Sequence, residues 1–177
     1  MASRCSTATH SWVEGWLVLS MRVECVRVGA VRLLLALMLG LIVVSGYVVA
    51  PLLFAKAATH AEAGRLAGEL FHLVNIGVLI LSAAVASFWM RIKNLGRLNW
   101  SLLIGLAVLL AMNEFVISPQ LAEIKVQAGP IDQLAADDPQ RAEFGMLHGV
   151  SAMLHLLAAI SAALLVTLGG RGSCKES

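Results

Sequence analysis

Four uninterrupted apolar stretches, each long enough to cross a lipid bilayer, limit this chain more than any other feature. They run from Val31 to Phe54, from about Leu66 to Met90, from Leu98 to Ser118 and from Phe144 to Leu168. A helix rising 1.5 Å per residue needs about 20 apolar residues to span a hydrocarbon layer of roughly 30 Å. Inside lipid every backbone polar group must be satisfied within the protein, so spanning segments are helices or closed barrels. Continuous apolar runs of this length lack the two-residue alternation of barrel strands. The expectation is therefore an all-α, polytopic membrane protein, a bundle of four transmembrane helices. Composition agrees: 14% of the 177 residues are charged, against roughly 25% for a water-covered domain. An ordinary cytosolic domain and a disordered chain are excluded on that ground. A net charge of +2 gives no argument for nucleic acid.

The joins carry start and stop signals. Thr59 followed by Glu62 forms a capping box ahead of the second span. Asp138-Pro139 offers a cap and a first-turn proline for the fourth, and Gly129-Pro130 breaks the chain before it. The piece Pro119–Ala128 reads either as an extension of the third helix or as a short interfacial segment. Nine Lys and Arg residues fall on the side of the two chain ends and the central connection, against four on the other side. The positive-inside rule then places both termini in the cytoplasm. Residues 1–30 form a cytoplasmic segment, with Met21 as an alternative start, residues 31–168 the transmembrane domain, and 169–177 a cytoplasmic tail. Ala55-Lys56-Ala57 has the form of a signal-peptidase site, but the stretch before it exceeds an h-region of 7–15 residues, so an uncleaved span is expected. Cys5, Cys25 and Cys174 lack a CxxC spacing and are expected to stay reduced.

The chain echoes itself. Tyr47-Val48-Val49-Ala50-Pro51 corresponds to Phe115-Val116-Ile117-Ser118-Pro119, and Leu70-Phe71-His72 to Met146-Leu147-His148. Two copies of a helical hairpin, both starting on the same side, explain the pattern.

Polar side chains in lipid are costly and turn toward the bundle interior. Counting along the spans puts Tyr47, His72, Asn113, Glu114 and His148 in the same outer third, with His155 nearer the midplane. On the second span Gly64, Gly68, His72, Asn75 and Ser82 share a face; on the fourth, Gly145, His148, Ala152, His155, Ala159 and Ala162 do. One reading makes these rows close-packing seams with His and Asn as interhelical hydrogen-bonding groups. A second makes them a site for a transition metal or haem b, through His72, His148, His155, Glu114, Met112 and Met146. Around it stand the polar residues Tyr47, Glu69, Asn75, Asn113 and Ser151. A third is a proton or cation pathway through Glu114, His148 and His155. Glu69-Leu70-Phe71-His72 gives one E-x-x-H pair, but a di-iron bundle needs two. Phosphate loops and hydrolase motifs are absent, which argues against an enzyme.

Several pieces resemble one family: Ala50-Pro51-Leu52-Leu53-Phe54, Ala63-Gly64-Arg65-Leu66 with Leu70-Phe71, Asn113 with Pro119, and Phe144-x-x-Leu147-His148-x-x-Ser151. From about Leu33 to Leu168 the chain is similar to the transmembrane protein 205-like family, also called domain of unknown function 4149, in a bacterial form. The resemblance implies a four-helix domain in the bacterial cytoplasmic (inner) membrane, without a settled biochemical activity. An animal relative is linked to platinum-drug resistance, which suits metal handling, and there is a fainter likeness to copper-resistance membrane domains. The chain departs from the family at His155 and in its N-terminal segment. The reading is a small binding or transport-related module in the lipid bilayer, possible ligands including a metal ion. Its alternatives are a haem-b redox subunit and a structural partner in a homodimer or larger membrane complex.

Overall fold

The computed structural model describes the backbone of residues 6–91 and 96–168, and side chains from Cys25 onward. Helix α1 starts as Ser6–Val44, passes through a π-helical turn at Ser45–Val49 and ends as Ala50–Lys56. Helix α2 is His60–Trp89. Helix α3 repeats the design of α1: Arg97–Met112, a π-turn at Asn113–Ile117, then Ser118–Ala128. A short 3-10 turn, Ile131–Gln133, leads to α4, Pro139–Leu168. All four helices are long and apolar enough to cross a membrane. The chain is an all-α, multi-pass membrane bundle, and no strand occurs among the described residues.

The caps sit where their residue types require. Thr59 Oγ1 accepts the Glu62 N–H at 3.1 Å, and Asp138 Oδ1 accepts the Gln140 N–H at 2.8 Å. Gly129 closes α3 with φ of +72°, a conformation that costs glycine little. Of the two readings for Pro119–Ala128, the structure takes the helical extension.

The two π-turns have a common cause. A proline lacks an N–H and its ring collides with the carbonyl four residues back. Pro51 and Pro119 are each separated from a π-turn by one residue, and that intervening residue bonds five residues back, Ala50 N–H to Ser45 O and Ser118 N–H to Asn113 O. Widening the turn by one residue lets the helix run past its proline. The two turns lie 68 residues apart, which is the interval of the sequence echo.

Around the bundle, α1 packs on α2 and α4, and α3 packs on the same two, so α1 and α3 take opposite corners. The core is a column of Leu35, Met38 and Ile42 from α1, Val78 and Val85 from α2, Leu103, Leu106 and Leu110 from α3, and Ala158, Ala162 and Leu165 from α4. Trp89 meets Trp100 edge-on at 5.7 Å at one end. The glycine rows do not act as interior seams. A Cβ added at Gly68, Gly145 or Gly149 would meet nothing within 4 Å, and on α4 the close approach falls to Ala158, Ala159 and Ala162. Between Pro139 and Leu154 no residue of α4 is fully buried; Phe144, Leu147, Ser151 and Leu154 are half-buried, and Phe144 meets Lys125 of α3.

Cys25 is disulfide-bonded, contrary to the expectation of reduced thiols. Cys5, Cys174 and the tail 169–177 lie outside the described residues.

Candidate functional site

Glu114 is carried on the π-turn of α3 and is only 7% exposed. An ionised carboxylate at that depth is tolerated only when it is paired. Both of its oxygens are engaged by α2. His72 Nδ1 lies 2.5 Å from Oε1, and the Asn75 side-chain amide donates to Oε2 at 2.9 Å. His72 and Asn75 are three residues apart, so one helical face presents both groups to one carboxylate. Asn75 is fully buried, whereas the His72 side chain is 63% exposed. The cluster thus reaches from the surface of the helical bundle to its interior, with the imidazole at the outer position.

The corresponding contact on the other side of the bundle uses the π-turn of α1. The residue equivalent to Glu114 there is Gly46, and the group received is His155 of α4. A Cβ on Gly46 would lie 2.9 Å from both Cδ2 and Nε2 of the His155 ring. His155 Nε2 is 3.0 Å from the Ile42 carbonyl oxygen, which Ser45 Oγ also approaches at 3.2 Å. A carbonyl can only accept, so Nε2 carries the hydrogen. The edge of the ring faces Phe71 of α2 with centroids 5.0 Å apart. Each π-turn therefore engages one imidazole from a neighbouring helix, through a carboxylate in α3 and through bare backbone in α1.

Of the residues singled out by sequence, the structure joins His72, Asn75 and Glu114, and buries Asn113 beside them in the chain. His155 is buried separately against α1. The others are elsewhere. His148 is exposed and stacks on Phe144 of its own helix, 6.0 Å between centroids and 5° between planes. Met112, Met146 and Tyr47 are exposed, Ser151 is half-buried, and Glu69 pairs with Arg65 on the surface at 2.6 Å. Among the described residues no group of three or more His, Cys, Asp or Glu could hold a metal ion. Sequence reasoning missed Gly46, the Ile42 carbonyl and Phe71. The repeated proline, with its demand for a widened turn, is the signal that could have led to the first two.

At the end of the bundle where α3 leads into α4, Lys125 bridges three helices. Its Nζ is 3.4 Å from the Gly64 carbonyl oxygen of α2 and 5.7 Å from the centre of the Phe144 ring of α4. The contact ties the last turns of α3 to both neighbours.

A family described as domain of unknown function (DUF4149) matches residues 33–130, more than half of the chain. The match includes both π-turns and the Glu114, His72 and Asn75 cluster, and ends before α4. No curated protein and no solved structure gives a significant match.

Proposed function

Since the chain belongs to the DUF4149 family, whose description attaches no activity to it, we propose a function from the site: a non-enzymatic, binding or transport-related membrane module whose working group is the Glu114 carboxylate and whose ligand is a cation, in the first place a proton. The observation that carries this is a single buried carboxylate with one oxygen on an outward-lying imidazole and the other on an interior amide. Imidazole and carboxylate can exchange a proton directly, and His72 is the partner through which it enters or leaves. A metal ion is the second cation that such a nitrogen and oxygen set admits. His148, Met112 and Met146 stand apart from this centre and take no part in the reading. The charge asymmetry of the connections supports an orientation with both termini on the cytoplasmic side.

Infrared difference spectroscopy of the protein in lipid tests the reading. On acidification, wild type is expected to gain a protonated-carboxyl band that Glu114→Gln lacks and that Asn75→Leu moves. Identical difference spectra for wild type and Glu114→Gln would refute it. Elemental analysis of the same preparation separates the metal from the proton.

One observation favours a second reading, a subunit of a larger membrane assembly. The first half of α4 has no fully buried residue, and Gly145 and Gly149 lie on it with nothing within 4 Å of a built Cβ. Small residues at such a face admit close helix approach. Co-purification of a stoichiometric partner, lost on Gly149→Leu, is the result this reading requires.

A further inference from the structure

Three buried side-chain atoms of the described bundle have no hydrogen-bond partner: Asn75 Oδ1, Asn113 Oδ1 and His155 Nδ1. All three are acceptors. The Asn75 amide is turned to Glu114, which leaves its oxygen as the free end. The His155 Nε2–H is committed to the Ile42 carbonyl, which in the neutral ring leaves Nδ1 as a lone pair. Glu114, when ionised, adds only further acceptor capacity.

These groups share one level of the bundle. Asn75 is bonded to Glu114, and Asn113 precedes Glu114 on the same π-turn. Phe71, one turn from Asn75 on α2, meets the His155 ring. His155 in turn sits on Gly46, the counterpart of Glu114 at the repeat interval. Unpaired buried polar groups are rare in folded proteins, and a set of one polarity calls for a partner of the opposite kind.

We infer that this level of the bundle binds a small monovalent cation, an alkali-metal ion or ammonium, through Asn75 Oδ1, Asn113 Oδ1 and the Glu114 carboxylate, with His155 Nδ1 on the α4 side. The inference rests on the reading of Glu114 as the working group and names what takes its charge when the proton leaves. A single carboxylate with neutral amide oxygens matches one positive charge, whereas divalent sites recruit several carboxylates. A trapped water has two hydrogens to donate, fewer than the three orphaned acceptors.

Thermal unfolding of the detergent-purified full chain at fixed ionic strength is the test, in choline chloride and then in sodium, potassium or ammonium chloride. At about 100 times its Kd, at least one of the three small cations is expected to raise Tm by about 5 °C over choline. The sodium and potassium arms against the ammonium arm tell a bare ion from an N–H donor. The rise should disappear in Asn75→Leu and Asn113→Leu and persist in His148→Asn. Equal Tm values in all four salts would overturn the inference and leave water as the occupant, and this comparison needs no variant to fold. A rise of equal size in Asn75→Leu and Asn113→Leu would also overturn it. A carboxyl band that depends on Glu114 without any cation shift removes this inference alone; a cation shift without that band removes the proton reading alone.

Discussion

Gly46 matters because of the one side chain its hydrogen makes room for. A methyl group there meets the His155 ring at 2.9 Å, so Gly46→Ala must displace the imidazole from the Ile42 carbonyl. Losing a buried hydrogen bond costs about 1 kcal/mol, against a helix-propensity gain of similar size from Gly to Ala. Gly40→Ala has the same propensity gain and open space around the new methyl. Unfolding titrations in mixed detergent micelles should therefore find Gly40→Ala stabilised and Gly46→Ala lower by about 1–2 kcal/mol. Equal stabilities would mean that the His155 contact carries no weight. At this scale the sequence was informative about depth and less so about facing. Counting 1.5 Å per residue placed His72 and Glu114 at one level, and they do meet. The same count put His148 there too, yet it is exposed and stacks on Phe144 of its own helix, because depth along a span does not say which face a residue takes.

Among the elements, the π-turns position the site. An extra residue in a turn rotates everything beyond it by about 100° relative to an unbroken helix, as 3.6 residues make a turn. Patterns of three and four therefore lose their register across Asn113–Ile117, which is why Glu114 could be assigned a level but not a partner. Pro119→Ala restores the missing N–H and allows a regular helix. It is expected to separate Glu114 from His72 and Asn75, so the Glu114-dependent carboxyl band should shift as it does in Asn75→Leu. An unshifted band in Pro119→Ala would show that the proline is not what holds the turn open. The Thr59 side-chain cap of α2 was legible, since Thr59 and Glu62 lie within one turn of each other. Thr59→Ala should cost about 1 kcal/mol of stability, measured in the same titrations, and leave the carboxyl band unchanged.

For the whole molecule, four spans and their all-α character followed from apolar length alone, because lipid leaves the backbone so few options. The ring order, with α1 and α3 at opposite corners, fits two hairpins around a common axis, and the repeated π-turns mark that relation more clearly than the short sequence echo. Partner choice was not legible, since an apolar helix face reads alike whether it meets lipid or protein. The exposed face of the first half of α4 makes the point testable: Gly149→Cys in membranes should form a crosslinked species with an oxidant if that face is an interface, and Ile80→Cys, on the exposed face of α2, should not. Proton movement through Glu114 is the central claim, and flux into proteoliposomes carrying an internal pH dye and an imposed potential tests it most directly. Wild type and His148→Asn are expected to acidify the lumen, and Glu114→Gln to fall to the rate of empty vesicles. Flux of equal rate in wild type and Glu114→Gln, or none above empty vesicles in wild type, would contradict the account.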